Sequence, residues 1–204
     1  MNAYLREPVR EDALYALGQT LKRHDYDFVT VTPSTHARVL GRETRLGATL
    51  RDAFGWNRPF AKSALPAEIM ELASAAGVLV ELEHGFRLNV RFATLGGEIF
   101  AHSSFPTVQD DAVFFGPDTY RFVRFVCRSL GTARSLVDIG CGSGAAGIFA
   151  ARHVETVIST DINPTALAFT RVNARLAGVT SVVRHSDVLR SVIEPVDVVI
   201  ANPP

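Results

Sequence analysis

Lysine, cysteine, methionine and tryptophan are scarce in this chain of 204 residues, and net charge is absent. The 21 basic residues balance 21 acidic ones, so no global field steers the protein towards nucleic acid or membrane, which leaves that role to a local patch. Lys22 and Lys62 are the only lysines; the other 19 basic side chains are arginines, the better planar phosphate binder, although coding bias produces the same count. Two cysteines, Cys127 and Cys141, are too few for a disulfide framework and too far apart for a paired metal motif. The six histidines, His24, His36, His84, His102, His153 and His185, show no ligand spacing, so no metal is expected. No run approaches the ~20 apolar residues of a membrane helix, and Met1 to Glu7 holds no apolar signal core. Reduced cysteines and the missing anchor predict a cytoplasmic protein with no membrane partner. Repeats and low-complexity tracts are lacking too.

What is present is the composition of a globular core. Hydrophobic residues make up 47% of the chain and charged ones 21%, with 13 phenylalanines spread along it, which excludes disorder and collagen-like repeats. At ~150 residues per domain the length allows one large or two small units. From Val9 to His24 the residues Ala13, Leu14, Leu17 and Leu21 recur at helical steps, and further helices are predicted over Leu46 to Phe54 and from Pro66 to Gly77. The period then changes. Val78 to Glu83 and Phe86 to Phe92 alternate and are joined by His84-Gly85 as in a hairpin, and a short strand follows from Glu98 to His102. Residues 1–105 are therefore expected to form a small α+β domain for substrate recognition, compatible with a winged-helix module. Arg38, Arg42, Arg45, Arg51, Arg58 and Lys62, against Glu43 and Asp52, offer either a phosphate-gripping patch or a solvated face. Residues 103–117 read as a linker and turn region.

Residues 106–204 alternate strand and helix. Tyr120 to Leu130, Ala145 to His153 and Pro164 to Ala177 are predicted helices; Ser135 to Ile139, Thr156 to Thr160, Ser181 to His185 and Val196 to Ala201 are predicted strands. Such βαβ units imply a Rossmann-like, doubly wound parallel sheet covered on both faces, of which the first four strands are present. Between the first strand and its helix lies Asp138-Ile139-Gly140-Cys141-Gly142-Ser143-Gly144. Glycines there permit a tight turn and close backbone approach to a ligand, and the helix beyond offers free N–H groups. Gly142-Ser143-Gly144-Ala145-Ala146-Gly147 also fits the dinucleotide pattern G-x-G-x-x-G, so a nicotinamide dehydrogenase stands as one reading. Asp161, 19 residues beyond Gly142, is placed to accept ribose hydroxyls in either class. Asp138 suits a cationic ligand better than a pyrophosphate. Cys141 and Cys127 read as packed residues, and Phe114 and Phe115 as core.

Asp138-x-Gly140-x-Gly142-x-Gly144, Asp161, Asp187 after the third strand and Asn202-Pro203-Pro204 after the fourth together resemble the motif series of class I S-adenosylmethionine-dependent methyltransferases. Within them the chain is similar to the type in which an aromatic residue follows Asn-Pro-Pro. That type methylates planar amino groups and includes release-factor glutamine methyltransferases, adenine amino-methyltransferases and small-domain rRNA guanine methyltransferases. Phe115-Gly116-Pro117-Asp118-Thr119 resembles the Pro-x-Pro-Glu/Asp-Thr segment of the glutamine enzymes, with the first proline replaced. The resemblance spans residues 113–204. It implies S-adenosyl-L-methionine as cofactor, held by Asp138, Ile139, Gly140, Cys141, Gly142, Gly144, Asp161, Ile162, Asp187, Val188 and Asn202, with Asn202, Pro203 and Pro204 as catalytic residues. The Asn202 side-chain carbonyl and the Pro203 backbone carbonyl would accept hydrogen bonds from a substrate NH2 and turn its lone pair towards the methyl group, which is catalysis by orientation. Proline suits this place because its backbone is fixed and has no N–H to compete.

The expected reaction is methyl transfer to a planar amino or amide nitrogen of a macromolecule, whether RNA, DNA or a translation-factor protein. A non-catalytic cofactor- or nucleic-acid-binding module is the other alternative. Four strands are fewer than a complete methyltransferase sheet holds, so the catalytic domain is expected to be cut at its active site, with an open edge beside its fourth strand. Activity is then expected of a longer protein.

Overall fold

The computed structural model describes residues 10–42 and 46–203; the predicted helix start at Val9, Glu43, Arg45 and Pro204 lie outside the described residues. Helix α1 (Glu11–Arg23) buries Leu14, Leu17, Gly18 and Leu21, and begins with Glu11 and Asp12, whose charges favour the positive helix end. Helix α2 (Pro33–Arg42) escapes the periodicity argument because His36 is the buried residue of an otherwise exposed or half-buried helix. The helix expected over Leu46 to Phe54 contracts to a π-helical turn, Arg51–Gly55, where the Phe28 ring packs so closely on Gly55 that a Cβ would lie 2.3 Å from it. Helix α3 (Ala67–Ala75) starts one residue later than predicted, with Pro66 as its N-cap.

The single predicted hairpin is two. Strands β1 (Leu79–Leu82) and β2 (Gly85–Leu88) pair through a Glu83-His84 turn, and the run from Phe86 to Phe92 breaks at Asn89, whose N–H donates to the Val78 carbonyl at 3.0 Å. Strand β3 (Val90–Leu95) then turns through Gly96-Gly97 into β4 (Glu98–Ser103). Both are buried along most of their length, so this second hairpin is a core layer, not a projecting wing.

Residues 117–201 carry helix α4 (Pro117–Ser129), β5 (Ser135–Ile139), α5 (Ala145–Ala150), β6 (Thr156–Asp161), α6 (Pro164–Ala177), β7 (Val182–His185) and β8 (Val198–Ala201). The four strands pair in parallel in the order β7-β6-β5-β8, an α/β, Rossmann-like sheet preceded by the α+β region. Helix α6 has its predicted bounds because its ends are chemically marked. Asn163 caps it by accepting from the Thr165 N–H at 2.9 Å, Pro164 fits its first turn, and Gly178 ends it in the left-handed region.

One expectation is corrected. Leu136, Val157, Val198 and Ile200 point to one face and join α4, α5 and α6 in a single cluster, whereas Val182 and Val199 on the reverse face are exposed. Helices thus cover one face only among the described residues, because the 186–197 connection forms turns and bends in place of a crossover helix. On the helical side the layers continue. Ala166, Phe169, Val172 and Leu176 of α6 share a cluster with Leu14, Leu17 and Leu21 of α1, and Phe100 of β4 stacks on Phe149 of α5 at 6.1 Å. The division expected near residue 105 falls in the loop 104–116, while the two hydrophobic clusters each draw residues from both sides of it.

Candidate cofactor and substrate cleft

Strand order reverses between β6 and β8 on either side of β5, which opens a crevice at the carboxyl ends of β5 and β8. A cleft of about 680 Å³ lies there, a size suited to a small organic ligand. Asp138, Gly140, Cys141, Gly142, Asp161, Ile162, Asn202 and Pro203 line it. The structure brings these predicted residues together from the ends of three strands.

Gly140, Gly142 and Gly144 all have positive φ, at 65°, 55° and 76°. Gly144 is the most constrained, since a Cβ there would also lie 2.8 Å from Thr170 Cγ2. Gly144 stands behind the cleft wall as the residue before α5. Cys141 is buried, its thiol 3.3 Å from the Thr170 hydroxyl and raised in pKa by burial, which makes it packing material and no nucleophile.

The two acidic residues are held by backbone. Asp138 Oδ2 accepts the Gly147 N–H at 3.1 Å. Asp161 accepts the Gly142 N–H on Oδ2 at 3.0 Å and the Asn163 N–H on Oδ1 at 2.9 Å. A carboxylate has roughly four acceptor sites, so Asp161 keeps capacity for ligand hydroxyls. Burial raises the Asp138 carboxyl to about 7, the Gly147 N–H holding it down and the neighbouring Asp161 charge pushing it up. Such a group favours a cationic ligand.

Besides Gly144, three predicted residues stand off the lining. Ile139 ends β5 beside Thr160 and Ala201, off the cleft lining. Asp187 is exposed and paired with Arg190 at 2.8 Å, and Val188, also exposed, has a φ of 54°. The lining also includes residues that the sequence did not assign to the site, although Asp118 and Thr119 stood in the segment resembling the glutamine enzymes and Phe114 was read as core. Ala112, Val113 and Phe114 come from the segment read as linker, Asp118, Thr119 and Phe122 from α4, and Asn163 and Ala166 from α6. The segment becomes a wall because the Asn163 amide donates to the Asp111 carbonyl at 2.9 Å and the Thr165 hydroxyl to the Asp111 carboxylate at 2.9 Å. Phe115 is buried as expected, but Phe114 is 49% exposed. The Pro117-Asp118 start of a helix was the available signal.

The supposed patch at 38–62 is dispersed. Arg58 is buried 3.8 Å from Asp52, and Arg51 pairs with Asp27 at 3.4 Å. Among the described residues no group of three or more His, Cys, Asp or Glu side chains is placed to hold a metal, and no helix is long and apolar enough to cross a membrane.

Comparison with known proteins finds similar methyltransferases. A ribosomal protein L11 methyltransferase of Alkaliphilus metalliredigens is 33% identical over 100 residues, 46% of this chain and 32% of the relative. A release factor glutamine methyltransferase of Streptococcus pneumoniae is 32% identical over 91 residues, 43% of this chain and 33% of the relative. The chain thus spans about a third of the length of these relatives. Among solved structures, the 16S rRNA N2 G1207 methyltransferase of T. thermophilus matches with a TM-score of 0.46 and 19% identity over 67% of this chain and 43% of that one. Residues 121–204, which carry all four parallel strands and the three glycines of the turn, match the family profile described as the methyltransferase small domain.

Proposed function

We propose that the protein is an S-adenosyl-L-methionine-dependent methyltransferase acting on a planar amino or amide nitrogen of a macromolecule. The observation that supports it most is the convergence of Asp138, Asp161, the glycine turn and Asn202-Pro203 on one cleft. When bound, the cofactor supplies an electrophilic methyl group. The chain's own residues hold and orient. Asp138 complements an ammonium, Asp161 takes ribose hydroxyls, and Ile162, 63% exposed, offers an apolar surface to a flat ring. Asn202 and Pro203 follow β8 at the mouth, where their carbonyls can accept from a substrate NH2. The exposed side of Phe114 gives the opposite wall a face on which a planar group can stack. A dinucleotide fits less well, because its pyrophosphate would meet the Asp138 and Asp161 carboxylates on the same lining.

Two binding measurements test the site. In calorimetry with S-adenosylhomocysteine, Asp161→Ala is expected to weaken affinity about 10- to 100-fold, the range for a lost hydrogen bond to a charged group. Unchanged affinity removes Asp161 from the site. The second reads pH. The free Asp138 carboxyl holds a proton below about 7, and a cationic ligand favours the carboxylate. Affinity is therefore full above that pH and is expected to fall by up to about tenfold per unit below it. A wild-type profile that is flat between pH 5 and 8, or one that survives Asp138→Asn, contradicts the contact. Affinity for S-adenosylhomocysteine without any methyl transfer by the whole protein would favour a binding module.

A further inference from the structure

Helix α4 leads away from the cleft, with Asp118, Thr119 and Phe122 on the lining. Its other side is turned to solvent. Arg121, Arg124, Phe125 and Arg128 are exposed there, Phe125 at 66%, while Val123 and Val126 are buried beneath. The spacing 121, 125, 128 keeps these side chains on one stripe about 10 Å long, at roughly 1.5 Å of rise per residue. Between Ala112 and Val137 the sequence has four arginines and one acidic residue, Asp118, a local excess of positive charge in a chain whose net charge is zero. Asp118 neutralises Arg121 only loosely, at 3.3 Å with both side chains mostly solvated. Arg124 and Arg128 have no ion-pair partner among the described residues. An aromatic ring left mostly to solvent within a basic helix face offers a flat apolar surface between phosphate-binding groups.

We propose that this face of α4 is a docking surface for single-stranded nucleic acid, with Phe125 stacking on a base and Arg124 and Arg128 on flanking phosphates. The proposal deepens the methyltransferase reading by naming the substrate class, and it rests on that reading for its purpose. Charge complementarity selects a polyanion, and the interleaved aromatic selects one with unpaired bases, since stacking needs an open π-face and tolerates any sequence. Arg121, at the start of the stripe, pairs with Asp118, which itself lines the cleft, so the stripe and the cleft share the first turn of α4.

Fluorescence anisotropy with a labelled oligouridylate of about 15 nucleotides, long enough for a typical single-strand site, tests this on the full chain. Wild-type protein is expected to bind with a strong salt dependence. Phe125→Ala should weaken binding about 5- to 150-fold, the worth of one stacked base, with little change in the salt slope. Arg124→Gln with Arg128→Gln should instead flatten the slope of log affinity against log salt by about 1.4, at roughly 0.7 for each phosphate no longer neutralised. All three positions are on the surface, and S-adenosylhomocysteine affinity, which reads the cleft, is expected to be unchanged in both variants. Failure of the cleft reading shows as lost cofactor binding in wild type. Failure of the present proposal shows as normal cofactor binding with no oligouridylate bound at low salt, or with binding indifferent to both variants. Capture of polyglutamate in place of oligouridylate would assign the face to an acidic protein and overturn it equally.

Discussion

Asn202→Ala is expected to lower methyl transfer by the whole protein about 100-fold or more while S-adenosylhomocysteine affinity stays within about twofold of wild type, because misplacement of a reacting group by about 1 Å alone costs that much rate. Asn202 stands at the mouth of the cleft directly after β8, and β8 is held in register on β5 with Asp138 opposite Ile200 and Ile139 opposite Ala201. The Asn202 backbone thus leaves directly from the end of a strand that is held in register. Acceptance of a hydrogen bond from the substrate NH2 costs nothing in charge and has its value only when the nitrogen points at the methyl group. Loss of the acceptor therefore lowers kcat more than it raises KM. Asn202→Asp keeps an acceptor in place and is expected to retain more activity than Asn202→Ala. Incorporation of labelled methyl groups into a cell extract, with and without ribonuclease, measures both. Equal and near-normal rates in the two variants would remove Asn202 from the reaction.

How much of this was legible depended on which physical signal each segment carries. The order of elements in the parallel half was legible, with β5 and α6 exact and other bounds up to three residues out, because its strands read as short apolar runs and α6 is bounded by Asn163, Pro164 and Gly178, each placed for a local backbone reason. The glycine turn and both aspartates were legible for the same reason, being tied to strand ends. Helix α2 was not, since amphipathic spacing reports a buried stripe and α2 buries His36 where an apolar stripe would be sought. The break at Asn89 was hidden as well. Alternation continues unchanged from Phe86 to Phe92, and the interruption is made by long-range bonds of the Asn89 backbone to Val78 and Ser104. Residues 112–114 looked like linker because their order is imposed from α6 through Asp111. Charge counting along the chain failed most instructively. Arg58 counts as basic in sequence but is buried against Asp52, whereas Arg121, Arg124 and Arg128 of α4, which no charge count singled out, are exposed.

The way the cleft is anchored to the rest of the molecule leads to the largest expected loss of stability. The two-residue turn Gly96-Gly97 makes Leu95 and Glu98 a hydrogen-bonded pair, so Phe92 and Ala101 form a non-bonded one and the N–H and C=O of Ala101 point out of the hairpin. Asn173, fully buried on α6, meets that open edge with both ends of its amide. Its Oδ1 accepts the Ala101 N–H at 2.7 Å, and its Nδ2 donates to the Ala101 carbonyl at 3.0 Å and to the Ser143 carbonyl of the glycine turn at 2.9 Å. One side chain thus replaces a neighbouring strand for β4 and braces the glycine turn. Asn173→Ala leaves three buried backbone groups without partners, at about 1–3 kcal/mol each, and a loss of at least about 3 kcal/mol is expected. For a chain of this size that corresponds to a fall in Tm of roughly 6–12 °C. Asn173→Asp is nearly the same shape and is expected to do no better, because two donations to carbonyls become contacts between a carboxylate and carbonyl oxygens. Thermal unfolding of both variants distinguishes hydrogen bonding from simple space filling: if the aspartate variant melts close to wild type while the alanine variant does not, volume and not the amide holds β4 to α6. If both melt within about 2 °C of wild type, at roughly 2–4 °C per kcal/mol for a chain of this length, the bracing of the glycine turn through Ser143 must come from elsewhere.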